Sequence, residues 1–507
     1  MSRIEETYQL IKSLSSGEKR FFKIFSNRYD ITNSLIKLFD ILERLNEWDN
    51  LKVQKSIEKQ KIKSSISVTN TKLFNEITTA LRLHNEQHNV DLEINKYIEE
   101  VRLLSKRNMF EMANLKLNKA AKLSREAEKH ERLLEVILLK KVIAVRNISN
   151  EDAHKLGLVL SKERVDLLRV LDNKEQYSLL SQKIFYLYRK FGNPKNKEEK
   201  KEFEDVLMDP LMLNVSLALS SSAINSFYFV YTIYYTVYNE MEKASEIIEK
   251  QIETFENKKE YLKNNLDQYI SILNNAIHVN SELKNSKKFL FFIDKLRTLP
   301  EKHKLQDQYF KKRIFETSYS LELDYYLQSN QFGKLNKLST TLEKELDKLS
   351  KKGLSKDKFI SFSYSISLNF YYQENYIKAQ DVLSNLILID DKISNLEWFC
   401  FAKILNLIVH FELKNYRFIL NKIKSVKRFL KKNNLLTEID VEFLKLLQHV
   451  PTSYNPINNY RKFLNFFENQ PDNETKKFYS NYLRIEIWCS SKINNTSFKE
   501  CLFSINA

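Results

Sequence analysis

The scarcity of glycine and proline limits what this chain can fold into more than any other feature of its sequence. Its 507 residues include 5 glycines and 6 prolines, whereas average usage would supply about 35 and about 25. Glycine provides the positive φ angles of tight turns and lets the backbone approach phosphates closely. A chain this poor in glycine cannot form many β-hairpins, a Rossmann fingerprint or a P-loop, so the sequence predicts an all-α protein.

The charge balance is basic, with 82 Lys and Arg against 65 Asp and Glu and a formal net charge of +17. A nucleic-acid partner is one interpretation of this excess, but the chain is long and rich in Lys, Asn and Ile, so compositional bias explains much of it. Hydrophobic residues make up 43% of the chain, which is enough for a large core. No apolar run is long enough to span a bilayer and no signal-peptide pattern is present, so we predict a cytoplasmic protein without membrane insertion.

Reactive side chains form no recognisable catalytic or metal-binding motif. The three cysteines lie far apart and include no CxxC pair. His84 and His88 have the i, i+4 spacing that lets two rings face one metal ion, but Asn85 stands where a zincin motif needs its catalytic glutamate. We therefore predict a protein that is not an enzyme, with no catalytic, metal-binding or cofactor-binding residues.

Helical patterns predict three regions along the chain. Residues 1–92 are predicted to form a small bundle, in which Ser15 and Glu18 have the spacing of a capping box. Residues 93–435 carry a helical repeat, and prolines break residues 436–507 into short helices and a tail. Residues 192–201, which combine a Gly-Asn-Pro sequence with a Lys/Glu run, are predicted to form a charged loop between repeats.

The repeat places an aromatic or apolar residue at a turn, a small or apolar residue three positions on, and apolar residues four and seven positions beyond that. It is clearest at Tyr376, Ala379, Leu383 and Leu386. By subtraction, spacings of 45, 46, 44 and 40 residues separate the later anchors, which are Ala244, Phe289, Leu335, Ala379 and Ile419. Regular spacing in this range is typical of stacked helical hairpins, because a single hairpin cannot bury its own apolar faces.

This pattern resembles the tetratricopeptide repeat family. The best match has Ser363, Ile366 and Phe370 before the turn and Ala379, Leu383 and Leu386 after it. The family's small glycine is Ser367 here, and the spacing exceeds the family's usual length. The stretches "LIKSLSSGEKRFFKIFSNR" and "NLIVHFELKNY" are similar to a group of bacterial repeat proteins without an assigned function. The resemblance implies a right-handed α-solenoid of such hairpins, preceded by the N-terminal bundle. It also implies that the concave face of the solenoid binds a partner.

Residues 414–432 contain eight basic residues and no acidic one. Four of them fall at i, i+7, i+11 and i+14 and so share one helical face: Arg417, Lys424, Arg428 and Lys431. Such a face is either a solvated helix surface or a docking strip for an acidic peptide or a nucleic-acid backbone. We take these four as the candidate partner-binding residues of a scaffold that binds a protein or peptide.

The alternative function is a transcriptional regulator that responds to a ligand or peptide and contacts DNA through the N-terminal bundle. A helix predicted to begin at Thr69 follows four lysines near one helical face, and two helices joined by a turn can form a DNA-reading unit. The four are Lys52, Lys55, Lys59 and Lys63. The second helix carries Glu76 and few basic residues, so we do not expect sequence-specific DNA binding. Nucleic acid is therefore the second choice of partner, after a protein or peptide.

Overall fold

The protein is all-α in the part of the chain that its computed structural model describes, which is residues 3–28, 33–45, 48–60, 62, 65–86, 89–303, 308–351, 354, 356–387, 396–471 and 474–504. About 85% of these residues are helical and none of them is in a β-strand. The prediction of an all-α protein is confirmed. The chain divides into two compact units, residues 1–283 (unit 1) and residues 284–507 (unit 2).

Unit 1 contains fourteen α-helices among its described residues. They are α1 Arg3–Ser13, α2 Ser16–Arg28, α3 Asn33–Arg44, α4 Asn50–Lys59, α5 Ile66–Asn85, α6 Val90–Ser105, α7 Phe110–Glu126, α8 His130–Asn147, α9 Asn150–Phe191, α10 Lys197–Leu207, α11 Ser221–Val237, α12 Met241–Asn257, α13 Lys259–Asn264 and α14 Leu266–Glu282. Helices α1–α5 share one hydrophobic cluster, in which Leu38, Phe39 and Ile77 are completely buried. The predicted capping box is confirmed at the start of α2, where the backbone N–H of Ser15 donates to Glu18 and that of Glu18 donates to Ser15 Oγ.

From α6 onward in unit 1, each helix packs on the next long helix along the chain, from α6 through α9, α11 and α12 to α14. Helix α9 has 42 residues and is more than twice as long as a helix of the predicted repeat. The prediction of a charged loop at residues 192–201 is wrong over its second half. Asn196 caps α10 by accepting the backbone N–H of Glu199, so the Lys/Glu run is helical.

Unit 2 contains twelve α-helices among its described residues. They are α15 Ser286–Lys302, α16 Gln308–Gln328, α17 Phe332–Lys351, α18 Lys356–Tyr372, α19 Tyr376–Ile387, α20 Leu396–Glu412, α21 Tyr416–Lys432, α22 Glu438–His449, α23 Pro456–Glu468, α24 Glu474–Asn481, α25 Ile485–Asn494 and α26 Phe498–Ser504. Neighbours in sequence pack together from α15 to α23, and α18 also packs on α16, α20 and α26. In the described part of the chain, no helix is long and apolar enough to cross a membrane.

The hairpin turns explain how a chain with only 5 glycines reverses direction. Each of the five anchors lies five residues after a residue with left-handed backbone, and those residues are Asn239, Lys284, Asn330, Glu374 and Lys414. Each anchor is buried to an exposed fraction of 1% or less. Ala379, the anchor of α19, is therefore buried, as the repeat pattern predicts. The left-handed conformation is strained for residues other than glycine and asparagine, so packing of the two helices must hold the turn.

Candidate functional site

Helix α21 carries the four candidate residues, and its buried side fixes which way they face. The helix begins at Tyr416, immediately after the left-handed turn at Lys414. Four of its apolar residues form a buried side, and α21 packs against α20 and α22; these residues are Ile419, Ile423, Val426 and Leu430. Because these positions recur every three or four residues, the opposite side of the helix must be exposed.

The exposed side of α21 is entirely cationic in its charge. Seven exposed side chains form what we call the basic face, and they are Arg417, Lys422, Lys424, Lys427, Arg428, Lys431 and Lys432. At about 100° per residue, all of them except Lys422 fall within an arc of about 140°. None of the seven forms a salt bridge with an acidic residue in the described part of the chain.

The electrostatics of the basic face favour an anionic partner. Lys431 and Lys432 lie in the last turn of α21, where their positive charges interact favourably with the partial negative charge of the helix C-terminus. The remaining cations repel one another, and an acidic partner would relieve that repulsion. A strip of guanidinium and ammonium groups without counter-charges can therefore bind carboxylates or phosphates.

The other large surface of these hairpins is already covered by the chain itself. Helices α18 and α20 are buried on all sides, since residues 362–372 and 404–411 are buried without interruption. The C-terminal segment, residues 474–504 with helices α24–α26, lies against them. Phe478 stacks on Phe401 with ring centroids 3.5 Å apart, and Trp488 is completely buried beside Phe411.

Three hairpin ends anchor the C-terminal segment through polar contacts. Glu412 accepts hydrogen bonds from Trp488 Nε1 and Lys492 Nζ, each at 2.6 Å. Glu374 accepts the Ser497 hydroxyl at 2.7 Å and a backbone N–H at 3.2 Å. At the α16–α17 turn, Arg484 donates to the Leu327 carbonyl and to Asn330 Oδ1.

These anchors reveal contacts that the sequence reasoning missed. Glu412 and Trp488 are 76 positions apart, and no local pattern joins them. In unit 2 the C-terminal segment of the same chain covers the surface of α18 and α20, which is therefore not accessible to a partner protein. The exposed sides of α17, α19 and α21 stay open to solvent.

The tyrosine-rich helix α11 has a structural role in unit 1. Its ring cluster is half-buried, and two hydroxyls bind carbonyls of the same unit: Tyr231 donates to the Met212 carbonyl at 2.8 Å and Tyr238 to that of Lys200 at 3.3 Å. Burial, aided by the nearby Tyr234 and Glu204, raises the pKa of Tyr238 to about 12. These hydroxyls are therefore engaged within the fold.

The N-terminal candidates are placed as follows. Lys52, Lys55 and Lys59 are exposed on α4, and α5 begins at Ile66, three residues before the predicted start. Lys63 and His88 lie outside the described residues. Within the described ranges, no group of three or more His, Cys, Asp or Glu side chains is arranged to hold a metal ion.

Comparison with protein-family models, with curated proteins and with solved structures finds no match to this chain. The tetratricopeptide-like character of its hairpins thus stays a prediction from the sequence. The described residues do establish helices that pack in chain order, with one strongly cationic helix face in unit 2.

Proposed function

We propose that this protein is a cytoplasmic, non-enzymatic scaffold that binds an acidic segment of a partner protein through the basic face of α21. The helices belong, in this proposal, to a tetratricopeptide-like α-solenoid preceded by the α1–α5 bundle. The observation that carries the proposal is the set of seven exposed cations on one helix without counter-charges in the described chain. The covered surface of α18 and α20 supports it, because it leaves the second helices of the hairpins as the accessible sides.

The regular spacing of the cations in the basic face suits a row of protein carboxylates better than randomly placed surface lysines would. Arg417, Lys424, Arg428 and Lys431 span 14 residues, or about 21 Å of helix. An extended acidic segment of about six or seven residues covers that length. Exposed ion pairs are individually weak, so the affinity depends on several contacts being made at once.

The test is a fluorescence-anisotropy titration of the full chain with a labelled polyglutamate peptide of about 20 residues. The variant replaces Arg417, Lys424, Arg428 and Lys431 with Gln, and we expect it to bind at least about tenfold more weakly. The matched control replaces four other exposed lysines with Gln: Lys195, Lys197, Lys200 and Lys201. Both variants lose four positive charges, so equal weakening would refute a site on α21 and leave only non-specific attraction.

Duplex DNA contact through α4 and α5 is a second candidate function, and one observation favours it. The outward face of α5 holds exposed Thr71, Lys72, Asn75, Thr78 and Arg82 and no exposed acidic residue, since Glu76 is half-buried at its edge. Hydroxyl, amide and guanidinium groups are those that read base edges. Anisotropy with a pool of random-sequence duplexes tests it: Asn75→Asp with Arg82→Glu abolishes a sequence-selective complex if α5 reads DNA, and leaves weak binding unchanged if it does not.

A further inference from the structure

Helices α8 and α9 of unit 1 expose apolar side chains that nothing in the described chain covers. On α8, Leu138, Val142 and Val145 are spaced i, i+4 and i+7 and form one stripe. Val145 has an exposed fraction of 66%. The stripe lies opposite the buried residues of the same helix, such as Val136 and Ile143, so it does not belong to the core.

Helix α9 carries a second stripe of the same kind. Leu158, Val165 and Leu179 fall on a seven-residue spacing, and Leu168 lies three residues after Val165. Apolar residues at heptad spacing on an exposed helix face are the pattern by which one helix packs on another. The core of unit 1 uses other positions of α9, including Leu160 and Leu167, so the helix has two apolar sides.

The two stripes lie on one surface. Lys141 of α8 donates a hydrogen bond to Ser161 of α9 at 2.6 Å, and each of these two residues lies one helical turn from members of the stripe on its own helix. We call the joint surface the apolar stripe, defined by Leu138, Val142, Val145, Leu158, Val165, Leu168 and Leu179. A monomer seldom exposes so many apolar side chains together unless the surface binds something.

The charges around the apolar stripe indicate what covers it. Residues 138–179, which span the whole stripe, contain eight basic and six acidic residues, so this part of a chain of net charge +17 carries charges of both signs and only a small excess of positive charge. Neither a polyanion nor an acidic segment would select such a rim. A surface with both signs and an apolar centre suits a second copy of itself, because two-fold symmetry makes contacts reciprocal, so one basic residue that meets an acidic residue of the other copy gives two ion pairs.

We propose that the apolar stripe is a homodimer interface, covered by the same stripe of a second copy of this chain. From Leu158 to Leu179 the helix extends 21 residues, or about 32 Å, and α8 widens it near one end. With helices about 10 Å wide, the apolar centre has a projected area of about 450 Å². Together with its charged rim, that matches the roughly 800 Å² that each partner buries in a standard interface.

Sedimentation velocity of the full chain tests the dimer at concentrations from about 1 to about 50 µM. We expect a dimer at the upper end, and a variant with Val165→Glu and Leu168→Glu that stays monomeric over this range. The matched control is Met208→Glu with Leu213→Glu, which replaces two other highly exposed apolar residues of unit 1. Since all four side chains are exposed in the monomer, thermal unfolding of both variants should match that of the wild type at concentrations where the wild type is monomeric.

Three outcomes overturn the proposal. A wild-type chain that is monomeric at about 50 µM has no such interface. A dimer that persists in the stripe variant but dissociates in the control uses another surface. Co-sedimentation of a monomeric wild type with phosphatidylcholine–phosphatidylglycerol vesicles, lost in the stripe variant alone, would assign the surface to lipid instead. The proposal does not depend on α21, because the substitutions there leave residues 138–179 unchanged.

Discussion

The basic face of α21 and the apolar stripe of α8 and α9 are both helix surfaces without a partner, yet their chemistry is opposite. Helix α21 has seven basic residues and no acidic one, whereas residues 150–176 of α9 balance five against six. The basic face binds an acidic partner by electrostatic attraction, which does not require close shape complementarity. The apolar stripe binds by burying apolar area, which requires a partner surface of matching shape. Exposed helix faces of one protein can therefore bind different classes of partner, and the ratio of charged to apolar surface determines the class.

The two helices differ as much on their buried sides. In α21 every aliphatic residue of the strongly amphipathic pattern is buried except Leu420, so the apolar residues all serve the fold. In α9 some aliphatic residues belong to the core and others are exposed, including the four that belong to the apolar stripe. The comparison predicts that the same kind of substitution has opposite consequences for stability in the two helices.

The largest expected effect comes from placing a carboxylate on each apolar side. Ile423→Asp should destabilise unit 2 by about 3–5 kcal/mol, because it buries an unpaired charge and removes packed methyl groups. Val165→Asp should change the free energy of unfolding of the monomer by no more than about 0.5 kcal/mol, since that side chain is half exposed. Urea unfolding measures both, followed by circular dichroism for the whole chain and by tryptophan fluorescence in a Trp48→Phe background, so that only Trp398 and Trp488 of unit 2 contribute. A large loss from Val165→Asp at monomeric concentration would mean that the stripe belongs to the core.

The next largest expected difference between the two surfaces is the salt dependence of their binding affinities. Raising NaCl from about 50 to about 500 mM shortens the screening length from about 14 Å to about 4 Å, so binding of polyglutamate to α21 should weaken at least about tenfold. Dimerisation through the apolar stripe should change by less than about threefold, because desolvation of apolar area is not screened. Anisotropy and sedimentation at both salt concentrations give the two slopes. If both interactions weakened to the same degree, the division into a charged and an apolar surface would be wrong.

The turns that precede the two helices give a smaller contrast. Lys414 has a φ of +59°, so Lys414→Gly should stabilise the α20–α21 hairpin by up to about 1 kcal/mol. Ile148, between α8 and α9, has extended backbone with φ of −130° and ψ of 172°. Glycine there relieves no strain and adds freedom to the unfolded chain, so Ile148→Gly should destabilise by about 1 kcal/mol. Thermal unfolding of both variants shows the opposite signs, and a loss of stability for Lys414→Gly would show that its side chain contributes more than the strain removes.

The sequence predicts local features of this molecule well and long-range ones poorly. The capping box of Ser15 and Glu18 and the register that buries Ala379 are encoded within a few residues, and the structure has both. The length of α9 was not predicted, because apolar residues on two sides of a helix do not produce the single apolar stripe by which a helix is recognised in a sequence. The docking of the C-terminal segment depends on pairs such as Glu374 and Ser497, which are 123 positions apart. Only the fold brings such residues together.

The hairpin that supports the basic face should also respond to pH through His410. Its ring lies 3.9 Å from that of Phe418 on α21, and its Nδ1 is 3.1 Å from the side-chain amide of Asn415, which donates to it when the ring is neutral. Burial, and to a smaller extent the charge of Lys422, lowers the pKa of His410 from its ordinary value of 6.5. Protonation would place a second cation beside Lys422 and break the bond from Asn415.

Because the pKa of His410 is lower in the folded than in the unfolded chain, the neutral ring stabilises the fold above pH 6.5, and this contribution falls as the pH drops from 6.5 toward the folded pKa. His410→Gln should flatten that part of the profile of unfolding free energy against pH. Lys422→Gln should reduce the slope without abolishing it, since burial is the larger cause. The apolar stripe of α8 and α9 contains no titratable side chain, so dimerisation should be less sensitive to pH over the same range than the stability of this hairpin. A His410→Gln profile parallel to the wild type would show that the ring is not held neutral against α21, and the difference between the two regions would then lie in their surfaces alone.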